Sequence, residues 1–286
     1  MGLLNIDFGE PTQFVGFGKN QRIAIIDGDV VAHLACKGRG KMKNGFHAII
    51  EDHLKDAQFT KEEDEEYLEA SYDNFEDLTV SLVKYCKADY FLMAVKGPTN
   101  YRDQIYADYK KHRIAAAPTR DSSKKYVPFV RIMAIEKGVA VEATNREADD
   151  MVRIWAEEAR QCGDDFVVCS IDKDLKLIHG KHYLMHKHTM ITVTQKYATR
   201  FYYEQLMKGD PTDSIPGIPG VGDVGAANRL EQYDTEQEFQ AATIEAYQDY
   251  YGKDKWREYL LANGKLIYLQ KHVDDFFNIR GWAQFA

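Results

Sequence analysis

The sequence predicts an α/β fold, a mostly parallel central sheet flanked by helices, and three observations predict it. Short, continuous apolar runs alternate with segments of helical spacing from about residue 22 to about residue 171. The runs are apolar throughout, as strands covered on both faces are. Two of them stop at an aspartate, Asp27 and Asp172, and a helix with three acids in its first turn follows a third. In an open α/β sheet the strand C-termini form one edge, where ligands bind.

In chain order, Arg22 to Ile26 reads as a buried strand ending at Asp27, and Val30 to Cys36 as a helix. Residues 37–45 are basic and glycine-rich and read as a loop. Asp73 to Lys87 has helical spacing (Phe75, Leu78, Leu82, Val83, Cys86). Tyr90 to Val95 is a second strand. Residues 97–123 mix bases and aromatics without a clean period. Tyr126 to Glu136 is an amphipathic helix closed by Gly138. Val139 to Ala143 is a third strand, and Thr144 or Asn145 can cap the helix that runs to about Arg160. Phe166 to Ile171 is a fourth strand, and Lys181 to Val193 suggests a hairpin. Thr199 to Met207 is helical, Gly209 to Gly225 is turn-rich, and the remainder is helical and polar.

Length, 286 residues, suffices for one large core or a core with a satellite. No apolar run is long enough to span a membrane. Met1 to Glu10 lacks a basic start followed by an apolar stretch, which predicts no signal peptide. Cys36, Cys86, Cys162 and Cys169 show no CxxC spacing and are expected as reduced, mostly buried thiols of a cytoplasmic protein. The net charge of −8 argues against nucleic acid until its distribution is read. Residues 62–77 hold nine acids and no base, whereas residues 102–137 hold nine bases against four acids. Local charge decides whether a phosphate backbone approaches. The acidic run is expected to be a solvated helix face or a loop.

The acids that carry chemistry read Asp27-Gly28-Asp29, Glu147-Ala148-Asp149-Asp150, Asp172-Lys173-Asp174, and Gly209-Asp210 with Asp213. Each has a structural alternative: Asp27 as a helix N-cap, Thr144 with Glu147 as a capping box, Asp172 in a surface turn. Gathered without a counter-charge they would repel one another, and a divalent cation with oxygen ligands, Mg²⁺ above all, is the usual remedy. The segment from Gly209 to Gly222 has glycines at 217, 220 and 222 and leads into a helix at Val224 to Leu230, so its backbone N–H groups suit a phosphate rather than a base. Asn100-Tyr101-Arg102, Tyr106 and Tyr109-Lys110-Lys111-His112-Arg113 mix rings with bases, which suits single-stranded nucleic acid or a solvated helix face. His179, His182, His186 and His188 match no compact tetrahedral zinc pattern and are expected on the hairpin surface and loops.

Taken together, Ile-Ile-Asp27-Gly-Asp, Tyr109-Lys110-x-x-Arg113, Glu147-Ala-Asp149-Asp150, Ile171-Asp172-Lys-Asp174 and Gly209-Asp210-x-x-Asp213 with its glycine-rich turn resemble the flap endonuclease / 5′→3′ exonuclease family, the short bacteriophage 5′-exonucleases above all. The resemblance runs from about residue 22 to 230. It implies a PIN-like core over 1–200, including a basic helical arch at about 97–137. Residues 201–286 would form a helix–three-turn–helix DNA-binding element with C-terminal helices. By position, Asp27, Glu147, Asp149, Asp150, Asp172, Asp174, Asp210 and Asp213 fall on the family's metal carboxylates, and Lys110 and Arg113 on its phosphate-activating bases. Arg102, Tyr106, Lys111, Lys124 and Lys125 in the arch, with Gly217, Ile218, Gly220, Val221 and Gly222 in the turn, are the expected DNA contacts.

The implied function is a metal-dependent 5′→3′ exonuclease or flap endonuclease acting at 5′ ends and flaps of duplex DNA, with RNA primers in hybrids as further substrates. Two Mg²⁺ ions, replaceable by Mn²⁺, and a potassium ion at the turn are the implied cofactors, and the host cytoplasm the implied location. Two departures stand out. Lys96 occupies the place of an aspartate usual just after the second strand, and Asp223-Val224 that of a lysine after the last glycine. Two other classes remain open: an aspartyl-phosphate small-molecule phosphatase and a catalytically silent, structure-selective DNA-binding protein.

Overall fold

The computed structural model describes residues 16–36, 61–111 and 125–285. Arg113, Lys124, the glycine-rich stretch 37–45 and the N-terminal ten residues lie outside them. Among the described residues, six strands form one sheet: β1 (Arg22–Asp27), β2 (Tyr90–Lys96), β3 (Val141–Ala143), β4 (Asp165–Ser170), β5 (Gly180–Leu184) and β6 (Thr189–Val193). Their order is β3-β2-β1-β4-β5-β6, and the pairs β1–β2, β1–β4, β2–β3 and β4–β5 are parallel. Seven α-helices are described: α1 (Gly28–Ala35), α2 (Lys61–Cys86), α3 (Val127–Glu136), α4 (Ala148–Cys162), α5 (Gln195–Lys208), α6 (Asp223–Leu230) and α7 (Glu236–Ile267). The described residues fall into two compact units, one from 1–98, 118–175 and 180–192, the other from 99–117, 176–179 and 193–286.

The first unit holds the sheet. Every residue of β1 from Ile23 to Asp27 is buried, as expected of a central parallel strand covered on both faces. Ala24 and Ile26 join Val31, Phe75, Leu82 and Val130 in one apolar cluster with α1, α2 and α3. Side chains alternate along a strand, so Ile23 and Ile25 turn to the other face, where α4 packs on β1, β2 and β4. Helix α2 begins twelve residues before the expected Asp73. Its acidic run hid a stripe of Tyr67, Ser71 and Phe75 that the core buries, while Glu65, Glu66, Glu69, Asp73 and Asp77 stay exposed. One histidine departs from expectation: His182 lies opposite Val168 of β4 and is buried, because β5 is an interior strand. Cys36, Cys86 and Cys169 are buried free thiols and Cys162 is exposed. No described helix is long and apolar enough to cross a membrane.

The second unit is helical. Thr194 caps α5 by accepting from the Tyr197 N–H, and Thr235 with Glu238 forms the capping box of α7. Tyr203, Leu206, Phe239, Tyr247, Trp256 and Leu260 form its core. Helix α7 is interrupted at Gly252, whose φ of 75° breaks the helical path.

Candidate functional site

Asp27 ends β1 and starts α1. Its Oδ1 accepts from the Val30 N–H at 3.3 Å, so it is the helix N-cap. Its Oδ2 accepts from the Ser170 hydroxyl at 2.8 Å, across the β1–β4 pair. Ser170 Oγ in turn accepts from the Asp172 N–H at 2.9 Å, and Asp172 Oδ1 accepts from the Asp174 N–H at 2.8 Å. One hydroxyl therefore ties the Asp27 carboxylate to the backbone of Asp172. Burial pushes the Asp27 carboxyl up from 3.8 to about 7; Asp29 adds to the rise, the Ser170 and Val30 bonds oppose it, and Asp172 raises it further.

Glu147 precedes α4 and Asp150 lies in its first turn, fully buried, with Oδ2 accepting from the Glu147 N–H at 3.0 Å. The helix starts at Ala148, so Glu147 is its N-cap and the expected Thr144–Glu147 box is not formed. The reason lies in Asn145, whose φ of 55° turns the chain before the helix begins. Because α4 follows parallel strand β3, its N-terminus rises at the same sheet edge that carries Asp27 and Asp172.

Two residues of this edge went unnoticed in the sequence. Ser170 is one; its only signal was a hydroxyl at the last buried position before Asp172. Arg131 of α3 is the other: its Nε stands 2.7 Å from Asp29 Oδ1, which also accepts from the Lys96 N–H at 3.0 Å. Lys96 thus meets the acidic edge through its backbone, while its side chain is exposed.

In the second unit, the Lys110 ammonium lies 3.5 Å from Asp213 Oδ2, and the Lys110 N–H donates to the Asp213 carbonyl at 2.9 Å. Lys110 has a φ of 54°. Asp210 caps its own turn by accepting from the Thr212 N–H at 2.8 Å. Beyond it, Gly217 and Ile218 are buried, while Gly220 and Gly222 are exposed and Val221 half-buried. No side-chain hydrogen bond caps α6 at its N-cap, Gly222. Lys208 places its ammonium 2.6 Å from Asp223, so a lysine does stand at this helix start, supplied by α5.

Arg102 corrects an expectation. It is fully buried, and its guanidinium donates to the carbonyls of Leu266 at 2.9 Å and Tyr268 at 2.6 Å. From there it holds the C-terminal segment rather than facing solvent. Lys111 and Lys125 are exposed and Tyr106 is half-buried.

The structure thus brings Asp27 and Asp172 together through Ser170 and sets Asp174 against Asp172. It pairs Glu147 with Asp150, leaves Asp149 half-buried beside them, and places Asp210 and Asp213 in the other unit. Among the described residues, no three His, Cys, Asp or Glu side chains form a ready metal cage. The reason is local, since each strand-end carboxylate turns an oxygen to a nearby N–H or O–H. The donor set still fits a hard divalent cation by its chemistry: all are carboxylates, and one is buried beside two like charges.

Residues 28–208 match the family model described as 5′-3′ exonuclease, N-terminal resolvase-like domain. The 5′-3′ exonuclease of Aquifex aeolicus is 30% identical over 164 residues, covering 54% of this chain and 56% of that protein. DNA polymerase I of Chloroflexus aurantiacus is 30% identical over 175 residues, covering 54% of this chain and 18% of that protein. The chain thus spans about half or less of these relatives' length. Among solved structures, the bacteriophage T5 flap endonuclease in complex with DNA and metal ions superposes with a TM-score of 0.54 at 12% identity, covering 86% of this chain and 99% of that one. Zinc-bound T5 5′-exonuclease gives 0.52 at 14%, covering 87% and 100%. These two likenesses concern the fold, which is the PIN-like α/β arrangement of mostly parallel strands flanked by helices.

Proposed function

The chain belongs to the 5′-3′ exonuclease N-terminal resolvase-like domain family, and from that premise we propose that it hydrolyses phosphodiesters at 5′ ends and 5′ flaps of duplex DNA in a divalent-cation-dependent reaction. Mg²⁺ is the proposed ion, two per site, with Mn²⁺ as a substitute. RNA primers in hybrids are proposed as further substrates.

The observation that carries this reading is the strand-end pair: Asp27 buried, held up to about 7, and tied through Ser170 to Asp172. At neutral pH such a group shares its proton about evenly with solvent, and a cation would favour its ionised form. Asp27, Asp172 and Asp174, with Glu147, Asp149 and Asp150 at the start of α4, would hold the ions directly or through water. A bound ion would supply Lewis-acid activation of a water and neutralise charge at the leaving 3′ oxygen. Ser170 keeps Asp27 and Asp172 at a fixed spacing. Arg131 pairs with Asp29 at the edge of the acidic group.

Lys110 and Arg113 would stabilise charge building on the scissile phosphate. Exchange of Asp213 for phosphate at the Lys110 ammonium is the step this assigns to Lys110. The glycine-rich turn and the N-terminus of α6, which follows a glycine N-cap, would grip duplex phosphate without reading sequence. Potassium is proposed at this turn; the Ser214 hydroxyl, buried without a hydrogen-bond partner among the described residues, is the supporting observation. Products would carry 5′-phosphate and 3′-hydroxyl ends.

The test is release of product from a 5′-labelled duplex with Mg²⁺, for the wild type and for Asp172→Ala and Asp174→Ala. Loss of cleavage with duplex binding retained is expected. Undiminished cleavage by both variants ends the assignment, and wild-type binding without any product would assign a silent DNA-binding protein instead.

A further inference from the structure

The C-terminal helix α7 carries no family motif, yet two of its side chains close on one glycine of the turn. Gly217 has a φ of 61°, and a Cβ there would lie 2.3 Å from the Gly209 nitrogen, so the turn is packed back to back at this point. Asn263, 2% exposed, brackets its backbone: Oδ1 accepts from the Gly217 N–H and Nδ2 donates to the Gly217 carbonyl, each at 3.4 Å. The Tyr251 hydroxyl donates to the same carbonyl at 3.1 Å. Asn263 Nδ2 also donates to the Tyr247 hydroxyl at 2.9 Å, which donates onward to the Leu206 carbonyl of α5 at 2.6 Å.

Tyr251 and Asn263 lie on opposite sides of the Gly252 break, and Tyr251 stacks on Tyr259 with ring centroids 3.9 Å apart across it. The break lets both halves of α7 reach one peptide. The N–H and C=O of Gly217 belong to the two peptide units flanking its Cα, so a buried amide bonded to both restrains the φ and ψ of that residue, which set the direction of the three residues leading to Gly220.

We infer that Asn263 and Tyr251 are positioning residues for duplex binding: they clamp Gly217 so that the backbone from Gly220 to Gly222 faces the phosphate chain. This rests on the reading above that the turn grips duplex DNA. The two residues touch no nucleic acid; they act through the glycine.

The experiment compares the full-length wild type with Asn263→Ala, Tyr251→Phe and a control, Leu260→Val. The control residue is a fully buried side chain of the same helix. Tyr251→Phe keeps the ring stack and removes only the hydroxyl, so it keeps the proposal testable where Asn263→Ala is destabilised. Melting temperature, KM and kcat on a 5′-labelled duplex with Mg²⁺, and duplex affinity over a salt series are read for each. Expected is a rise in KM and Kd of about fivefold to tenfold in both clamp variants, the size of one or two lost hydrogen bonds. Their kcat stays within about twofold, and the control keeps the wild-type KM despite a lower melting temperature. An unchanged KM in both clamp variants, or the same rise in the control, overturns the clamp while leaving the nuclease reading intact. A wild type that neither binds nor cuts duplex overturns both.

Discussion

Asp27→Asn isolates the electrostatic load of the strand-end acids. In the folded, metal-free protein the Asp27 carboxyl is held at about 7 against an ordinary 3.8, by burial first and then by Asp29 and Asp172. A raised carboxyl favours folding fully only below 3.8, where both states are protonated. As pH climbs, the unfolded chain ionises while the folded one keeps its proton, and stability falls until pH passes about 7. The interval between the two values is worth about 4 kcal/mol at about 1.4 kcal/mol per pH unit. Asparagine carries no such load. It keeps the cap on the Val30 N–H but loses the Ser170 hydroxyl as donor to a charged oxygen, a loss of about 1 kcal/mol. Asp27→Asn is therefore expected to be about 3 kcal/mol more stable than the wild type at pH 8 in EDTA. The margin shrinks to under about 1 kcal/mol at pH 5, and Mg²⁺ stabilises the wild type but not the variant. Urea unfolding followed by circular dichroism at both pH values measures it. A variant less stable than the wild type at pH 8, or a margin that ignores pH, would refute the reasoning.

Three further outcomes follow from single contacts. Arg102→Met leaves the carbonyls of Leu266 and Tyr268 without their donor and should lower stability by about 3 kcal/mol in urea unfolding, with no change in duplex affinity where the protein is folded; weakened binding at full folding would restore Arg102 to the DNA contacts. Burial raises the Asp164 carboxyl, but N–H bonds from Gly18, Gln21 and Lys19 outweigh it and hold the group below 3.8. Its contribution is thus present above 3.8 and lost as pH falls through the lower, folded value, so Asp164→Ala should cost about 2 kcal/mol at pH 7 and nothing in strong acid. Gly217→Ala puts a Cβ 2.3 Å from a backbone nitrogen at positive φ, so it should lower the melting temperature more than any other single substitution named above.

Much of this was legible because it rests on periodicity. Apolar runs ending in acids marked β1 and β4, and parallel order put those acids on one edge without any coordinate. The tie between Asp27 and Asp172 was not legible, because it depends on a serine hydroxyl with no pattern of its own. Arg102 misled for a related reason. A base among tyrosines reads as a nucleic-acid contact, and the carbonyls that bury it belong to residues 266 and 268, beyond any local window. The partner of Asp29 escaped likewise, since Arg131 sits on a helix read as merely amphipathic. His182 went to the surface in the reading because a hairpin looks like an edge, and pairing of β5 with β4 makes its first strand an interior one.

Acids distant in sequence meet at the C-terminal edge of the sheet, and the proposed function has them hold a divalent cation there. Anomalous scattering from crystals grown with Mn²⁺ tests it most directly. A peak within about 2.5 Å of a carboxylate oxygen of Asp27 or Asp172 is the predicted result; Mn²⁺ bound only elsewhere, with both carboxylates still turned to their Val30 and Asp174 N–H groups, would contradict it.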